Sequence, residues 1–310
     1  MRIIPVDCNY VEEEFATAYL LIENDRGFFV ECNTNHAIPY LLEAVKKEGL
    51  TPDQIEGLLV THIHLDHAGG AGLFLREFPN AKLYAHPKAA RHAIDPSKLV
   101  ESATAVYGEK FMQKLYGTIL PCEASRVVVL EDGDTISFRG DSFQTRHTRG
   151  HANHHLVMIE PKTKTLFSGD AFGVSYPHVN EKHGLIALAS TSPTDFDGEA
   201  ALEAIDWIAS RDLEQVGLTH YGFIPKDKIA DASDQLRGWI QYSMELVARI
   251  QKENLSLDRI EEALHEWLIQ SCEKKGQKLD QADLKHLGLD LKVNAQGLRF
   301  AAFRPRQKSA

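Results

Sequence analysis

The segment Leu58-Leu59-Val60-Thr61-His62-Ile63-His64-Leu65-Asp66-His67 decides the fold of this 310-residue chain. Its apolar beginning predicts a short buried strand, which runs directly into a cluster of imidazoles with one carboxylate. If the strand continued, His62, His64 and Asp66 would share one face and His67 would point away from them. A tight loop at the strand end would instead divide the four side chains between two metal ions. Because zinc, iron and manganese all accept imidazole and carboxylate ligands, the segment predicts a metal site.

Later apolar runs also end in side chains that can bind a metal. They are Phe143-Gln144-Thr145 before His147 and His151, Leu166-Phe167-Ser168-Gly169 before Asp170, and Val216-Gly217-Leu218-Thr219 before His220. Neighbouring strands that end at one sheet edge would bring these side chains together, on rigid supports and with loops left for a substrate. A solvated histidine-rich loop would explain the first segment alone, but it does not explain all of these runs.

Four motifs resemble the metallo-β-lactamase superfamily, in its HxHxDH branch that includes glyoxalase II. They are Thr61-His62-Ile63-His64-Leu65-Asp66-His67, Gly150-His151, Ser168-Gly169-Asp170 and Thr219-His220, and the resemblance covers roughly Asn9 to Pro225. It implies an α/β fold, a four-layer αββα sandwich with two metal ions at one sheet edge. It also implies the metal ligands, which are His62, His64 and His151 for the first ion, Asp66, His67 and His220 for the second, and Asp170 as a bridge.

One motif departs from the glyoxalase-like GHxxGH pattern. The segment Gly150-His151-Ala152-Asn153-His154-His155 has His154 where that pattern has glycine. The resemblance then makes His155 a neighbour of the ligands rather than a ligand. The departure concerns the choice of substrate, and it leaves the predicted metal site intact.

The implied chemistry is hydrolysis at a dinuclear centre of divalent ions, with zinc expected first and iron or manganese as alternatives. Bound zinc lowers the pKa of water from about 15.7 to about 7, so a metal-bridging hydroxide is available at neutral pH. The expected reaction is cleavage of a small ester, thioester or lactone. Asp66 and Asp170 are the predicted catalytic carboxylates, and Asp66 would also orient the nucleophile or move its proton.

The chain is predicted to divide near residue 225. Residues 1–225 alternate strands and helices and form the catalytic domain, whereas residues 226–310 form a mainly helical C-terminal extension. Within the extension, Ile229–Asn254 and Leu257–Cys272 have the apolar spacing of amphipathic helices, and Leu289–Phe303 is its one strand-forming run. These helices would either cap the pocket or form a homodimer interface.

The stretch after Asp170 is where a substrate lid would lie. It runs as a loop from Phe172 to Gly184 and carries Tyr176 and His178, which we expect to contact the substrate. Tyr221 follows the last predicted ligand and is a third expected contact. The histidines without neighbours at ligand spacing are interpreted as structural, namely His86, His92, His265 and His286.

Composition limits the partners of the chain. The net charge is −10, and lysine and arginine do not cluster before the short tail from Arg299 to Lys308, so we expect no nucleic acid partner. The chain has no run of about 20 apolar residues and does not begin like a signal peptide, so we expect a cytoplasmic protein with no membrane contact. The expected partner is a small-molecule substrate. The four cysteines lie far apart and are interpreted as reduced thiols.

Other functions remain open at this point. Ser168-Gly169-Asp170-Ala171-Phe172-Gly173 resembles the corresponding stretch of flavodiiron oxygen and nitric-oxide reductases. Those proteins usually carry glutamate where His64 stands, and they need a flavin-binding domain that the pattern after Pro225 does not predict. A phosphodiesterase of the same fold is a further alternative, as is a non-catalytic binding module, which the complete set of ligand residues disfavours.

Overall fold

The computed structural model describes residues 1–191 and 195–304, without the side chains of 106 and 107. The chain forms two compact units. The first unit comprises Met1–His147, His154–Gly169 and Asp212–Lys226, and the second comprises Thr148–Asn153, Asp170–Arg211 and Asp227–Ala310. Residues 305–308 of the basic tail lie outside the described residues.

The first sheet of the first unit has its strands in chain order. They are β1 (Arg2–Asp7), β2 (Thr17–Glu23), β3 (Arg26–Val30), β4 (Ile55–Leu59), β5 (Lys82–Ala85) and β6 (Val127–Val129). The pairs from β1 to β3 are antiparallel, whereas the pairs from β3 to β6 are parallel. Because β2 and β3 are buried along almost their whole length, their sequences are apolar without polar alternation.

The second sheet belongs to the same unit. Its strands are β7 (Thr135–Phe138), β8 (Asp141–His147), β9 (Leu156–Glu160), β10 (Thr165–Gly169), β11 (Gln215–Leu218) and β12 (Phe223–Pro225). Only β10 and β11 pair in parallel, and the other pairs are antiparallel. The register of the β10–β11 pair shifts between Phe167 and Gly169, which is the point where the chain reaches the predicted ligand Asp170.

Aromatic side chains from both sheets form the core of the first unit. Phe28 on β3 contacts Phe138 and Phe143 of the second sheet, with ring centroids 5.5 Å apart in each pair. The hydroxyl of Tyr19 on β2 lies within hydrogen-bond distance of the carbonyls of Leu218, at 2.5 Å, and Gly222, at 2.8 Å. The sheets therefore pack face to face, as in a β-sandwich.

Six helices of the first unit lie between its strands. They are α1 (Ile38–Lys47), α2 (Leu65–Ala68), α3 (Ala71–Glu77), α4 (Pro87–Ile94), α5 (Ser97–Tyr107) and α6 (Glu109–Leu115). Of these, α1 packs on β1 and β2, α3 on β5, and α4 on β5 and β6. Two mixed sheets flanked by helices, with further helices at the C-terminus, confirm the predicted fold class.

The second unit is helical. Its helices are α7 (Pro177–His183), α8 (Gly198–Ala209), α9 (Lys226–Glu253), α10 (Leu257–Lys274) and α11 (Gln281–Phe303), although α9 begins one residue before the unit does. The long helices α9 and α10 confirm the two amphipathic helices predicted after Pro225. Trp239 of α9 and Trp267 of α10 make an edge-on contact with their ring centroids 5.3 Å apart.

Two sequence predictions for this unit are wrong. Leu289–Phe303 is not a strand but the later part of α11, because the capping box of Asp280 and Asp283 starts a helix that continues through it. The predicted loop Phe172–Gly184 contains α7. Pro177 stands at the first position of that helix, and Gly184 follows it with a φ of +79°.

Over residues 1–191 and 195–304, none of the helices is both long and apolar enough to cross a membrane. Cys8, Cys32, Cys122 and Cys272 are buried free thiols, in agreement with the sequence interpretation.

Candidate metal centre

The backbone changes direction at the histidine cluster. Strand β4 ends at Leu59, and the chain then turns until α2 begins at Leu65. The continued strand that would have aligned the ligands on one face is therefore not formed, and the loop alternative is the one observed. Asp66 and His67 lie side by side on the first turn of a short helix, where consecutive side chains point in different directions.

Asp66, His67 and His220 bring their ligand atoms within 4.8 Å of one another. Oδ2 of Asp66 is 3.5 Å from Nε2 of His220 and 3.9 Å from Nε2 of His67. Both imidazoles are almost fully buried, whereas the Asp66 side chain is 27% exposed. Two imidazoles and one carboxylate converging on one point are a donor set that fits a divalent metal ion. These three residues are the set that the family resemblance implies for the second ion.

His62 and His64 form a second close pair in the same unit. Nε2 of His62 and Nδ1 of His64 are 2.8 Å apart, and the rings meet edge-on with centroids 4.4 Å apart. Two ring nitrogens at this distance either share a hydrogen or bind one cation together. The ring of His62 also lies against that of His67, with centroids 3.9 Å apart, so the structure brings together five of the seven predicted ligands within the first unit.

The other two predicted ligands, His151 and Asp170, belong to the second unit. They are nearly buried, and Nε2 of His151 lies 3.5 Å from Oδ2 of Asp170. Nδ1 of His151 lies 3.3 Å from the carbonyl of Ser190. If Nδ1 carries the hydrogen and donates it there, the lone pair of Nε2 faces the carboxylate, as a metal ligand requires.

A buried carboxylate that the sequence analysis missed orients His67. Oε1 of Glu31, which is 1% exposed, lies 3.3 Å from Nδ1 of His67. The same oxygen accepts hydrogen bonds from the hydroxyl and the backbone N–H of Thr61. A carboxylate behind a ligating histidine fixes its tautomer and raises its basicity. The available signal was an apolar run, Phe28-Phe29-Val30, that ends directly before this acidic residue.

His220 is oriented in a similar way. Its Nδ1 lies 2.9 Å from the carbonyl of Phe15, and the two rings meet edge-on with centroids 6.0 Å apart. If Nδ1 carries the hydrogen and donates it to this carbonyl, Nε2 has the lone pair, which then faces Asp66. Phe15, in the loop between β1 and β2, therefore supports the site, although no motif in the sequence singled it out.

Comparison with known proteins decides the family. The sequence profile described as Metallo-beta-lactamase superfamily matches residues 12–212. The chain belongs to this superfamily.

The curated relatives of this superfamily chain include hydroxyacylglutathione hydrolase of Xylella fastidiosa (strain M23). That enzyme is 30% identical over 162 residues, which are 51% of this chain and 45% of the relative. The hydroxyacylglutathione hydrolase of Aeromonas hydrophila is 31% identical over 104 residues, 34% of this chain and 29% of the relative. The chain thus spans less than half the length of the curated relatives it matches.

A solved structure extends the likeness of fold over nearly the whole chain. An archaeal metallo-beta-lactamase superfamily protein from Sulfolobus tokodaii aligns with a TM-score of 0.66 at 19% identity. The alignment covers 96% of this chain and 98% of the other. At this identity the likeness shows the fold alone.

Gly169, the last residue of β10, leaves room for the side chains that crowd around this strand end. Its φ is +49°, and a Cβ atom there would lie 2.4 Å from the Thr61 hydroxyl and 2.6 Å from Nε2 of His155. Only glycine meets both conditions. His155, which is 1% exposed, in turn packs against His62 with ring centroids 5.0 Å apart, in agreement with its predicted place beside the ligands.

The three predicted substrate contacts have different surroundings. The buried Tyr176 donates a hydrogen bond from its hydroxyl to Oδ1 of Asp290, at 3.2 Å. His178 is exposed, and its ring lies 5.4 Å from that of His286. Burial, with smaller contributions from the Asp7 and Glu14 carboxylates, raises the pKa of Tyr221 to about 12. Their contact with a substrate stays a prediction.

Proposed function

We propose that this chain is a dinuclear metal-dependent hydrolase that cleaves a small ester, thioester or lactone. The observation that carries the proposal is the convergence of Asp66, His67 and His220, with Glu31 and the Phe15 carbonyl behind the two imidazoles. Oriented imidazoles of this kind are what a metal site requires and what a merely structural histidine cluster has no need of.

The proposed ligand set is the one that the family resemblance implies. His62, His64 and His151 would hold one ion, Asp66, His67 and His220 the other, and Asp170 both, with zinc as the first candidate metal. When bound, such ions supply a water that is acidic enough to act near neutral pH and a Lewis acid for the substrate oxygen.

The protein side chains have distinct tasks in this proposal. Glu31 keeps Nδ1 of His67 protonated, and the carbonyls of Phe15 and Ser190 do the same for His220 and His151. Asp66 is the most exposed member of its group, so its carboxylate is the one placed to take a proton from the attacking water and pass it to solvent.

The substrate class is supported from two directions. The curated relatives are named hydroxyacylglutathione hydrolases, which makes an acyl thioester the first substrate to test. His154, in the place where the glyoxalase-like pattern has glycine, argues for a different acyl or leaving group. Small lactones and esters therefore belong in the same screen.

The test is elemental analysis of the purified protein, followed by turnover assays on thioesters, lactones, esters and phosphodiesters. We expect about two metal ions per chain, hydrolysis of a carbonyl substrate, and loss of activity on chelation that is reversed by zinc. An Asp66→Asn protein should keep most of its metal but lose activity. A flavin or diiron spectrum with no hydrolysis would favour the redox alternative, and a metal-replete protein without turnover would contradict the proposal.

A further inference from the structure

Asn294 is a polar residue on the buried face of the last helix, α11. The buried side chains around it repeat at helical spacing and are apolar, namely Leu287, Leu291, Ala295 and Leu298. Asn294 is 2% exposed and lies in the middle of the helix, where asparagine is neither a cap nor a good helix former. Burial of its amide costs free energy unless the polar atoms have partners. The partners of Asn294 therefore indicate its role.

The hydrogen-bond partners of Asn294 lie on one short segment of the same unit. Nδ2 of Asn294 donates to the carbonyl of Ala189 at 3.0 Å, and Oδ1 accepts the backbone N–H of Thr191 at 2.7 Å. The Thr191 hydroxyl also lies 3.0 Å from Oδ1 and 3.2 Å from the backbone carbonyl of Asn294. The side-chain amide thus binds the backbone on both sides of Ser190.

Ser190 is the residue whose carbonyl faces the predicted ligand His151. Nδ1 of His151 lies 3.3 Å from that carbonyl oxygen. The C=O of Ser190 and the N–H of Thr191 belong to one peptide unit, which is planar. Because Asn294 fixes the direction of this N–H, it also fixes the direction of the C=O. Two hydrogen bonds across one peptide plane therefore connect Asn294 to His151, and each polarises the peptide in the sense that strengthens the other.

Other contacts hold the earlier part of this segment. Leu188 pairs with Val174 through two backbone hydrogen bonds of 2.8 and 3.0 Å. The backbone N–H of Ala187 donates to Oε1 of Gln235 on α9 at 3.1 Å. Residues 187 and 188 are thus fixed without α11, and the contribution of Asn294 is confined to residues 189–191. Loss of its amide should therefore release the Ser190 carbonyl and leave the rest of the segment in place.

We propose that Asn294 is a positioning residue for His151 and acts through the peptide unit between Ser190 and Thr191. With the Ser190 carbonyl held in place, His151 keeps its hydrogen on Nδ1 and offers the lone pair of Nε2 to a metal ion. The inference rests on the proposed function, in which His151 is a ligand. It deepens that function, because it gives the C-terminal helix α11 a task at the metal centre.

The first experiment determines the tautomer of His151 in the full chain after a chelator has removed the metal. Long-range nitrogen–proton NMR spectra of isotope-labelled histidine distinguish a hydrogen on Nδ1 from one on Nε2, and the spectrum of His151→Gln assigns the signals. At about pH 8.5, where most imidazoles are neutral, we expect Nδ1–H to predominate in the wild type. Asn294→Leu keeps a branched side chain but removes both backbone hydrogen bonds. It should lower the ratio of the Nδ1–H to the Nε2–H tautomer by about fivefold, the equivalent of one hydrogen bond.

The control is Leu298→Ala, one turn later on the same buried face of α11. It weakens the packing of the helix but removes no hydrogen bond to the Ser190 segment, so the His151 tautomer should stay as in the wild type. Equal changes in Asn294→Leu and Leu298→Ala, or no change in either, would overturn the proposal, because Asn294 would then only attach the helix. Asn294→Ala is the second variant, with the same expected change, in case Asn294→Leu does not fold.

The second experiment measures zinc binding by competition with a chromophoric chelator. Asn294→Leu should weaken the binding of one zinc ion per chain by about tenfold, because partners behind a ligating histidine contribute to metal affinity on this scale. Wild-type zinc affinity in Asn294→Leu would contradict the positioning role. If the wild type binds no zinc but the His151 tautomer still depends on Asn294, the proposed hydrolase function fails and the link between Asn294 and His151 stands.

Discussion

At the residue scale, the orientation of His67 depends on Glu31. Glu31 has a φ of +66° and is 1% exposed. Both the left-handed backbone and the burial of a carboxylate cost free energy, and such costs are typical of residues at functional sites. Its partners Thr61 and His67 supply the hydrogen bonds that make its burial tolerable. The candidate metal site therefore depends on a residue that is not among its predicted ligands.

We predict that Glu31→Gln weakens metal binding by about 10- to 100-fold, because the amide no longer holds the His67 tautomer. Competition with a chromophoric chelator measures the affinity. The matched control is Glu160→Gln, which changes another fully buried glutamate that accepts hydrogen bonds from the backbone N–H groups of Lys162 and Thr163 and from the Thr163 hydroxyl. Equal affinity in the two variants would show that Glu31 only stabilises the fold.

A second prediction concerns Gly169. Gly169→Ala should lower the free energy of unfolding by about 2–4 kcal/mol, since it combines a left-handed backbone with a clash against Thr61 and His155. Gly140 also has a left-handed φ, +90°, but a Cβ atom added there would meet no atom within 4 Å. Gly140→Ala should therefore lower the free energy of unfolding by only about 1–2 kcal/mol. Urea denaturation of both variants measures the difference in the free energy of unfolding. Equal decreases in the two variants would contradict the prediction, because they would show that Thr61 and His155 move aside without cost.

At the scale of elements, α11 is attached to α7 through one buried aspartate. Asp283 is 0% exposed and accepts from Lys182 at 2.9 Å, while Nε2 of His183 lies 2.8 Å away. Its Oδ2 also accepts the backbone N–H of Asp280, which completes the capping box of α11. The start of the last helix and the end of α7 are thus held by a single carboxylate.

We predict that Asp283→Ala lowers the free energy of unfolding by about 2–4 kcal/mol near neutral pH. Burial alone would raise the pKa of Asp283, but the Asp280 N–H, Lys182 and His183 outweigh it and hold the pKa below its usual value. Because the folded pKa is the lower one, the contribution is complete above about pH 4 and is lost as pH falls towards the folded pKa.

The measurement is urea denaturation of wild type and variant at neutral pH and at several values below pH 4. The difference between the two proteins should shrink as the pH falls. Asp234→Ala is the control, since Asp234 is 77% exposed in its ion pair with Arg237 and should change stability by less than about 0.5 kcal/mol. A difference that grows on acidification would contradict the assignment.

At the scale of the molecule, a bound ion would join segments that lie far apart in the chain. Asp66 and His67 follow the first sheet, whereas His220 follows β11 of the second. An ion that binds only the folded chain stabilises it by mass action, by about 2.7 kcal/mol at a concentration about 100 times its Kd.

We therefore predict that removing the metal with a chelator lowers the midpoint of thermal unfolding, and that added zinc restores it. Calorimetry with and without chelator measures the shift. His220→Ala, which lacks one ligand, should respond to the chelator much less than the wild type. An identical midpoint for metal-free and metal-loaded wild type would contradict a site that links these segments.

The sequence by itself determined the fold class, because strands buried on both faces leave apolar runs. It also predicted the ligand types, because several of these runs stop at a side chain that can bind a metal. It also indicated α9 and α10 through their apolar periodicity. It did not indicate β1, since an edge strand with Pro5 and half-exposed residues lacks the pattern of a buried strand.

Only the tertiary structure decided which groups stand behind the ligands. The contact of Glu31 with His67 joins residues 36 positions apart, and the contact of the Phe15 carbonyl with His220 joins residues 205 positions apart. No local pattern encodes such contacts. Periodicity records which face of an element is buried, whereas the partner on that face is set by how the sheets pack.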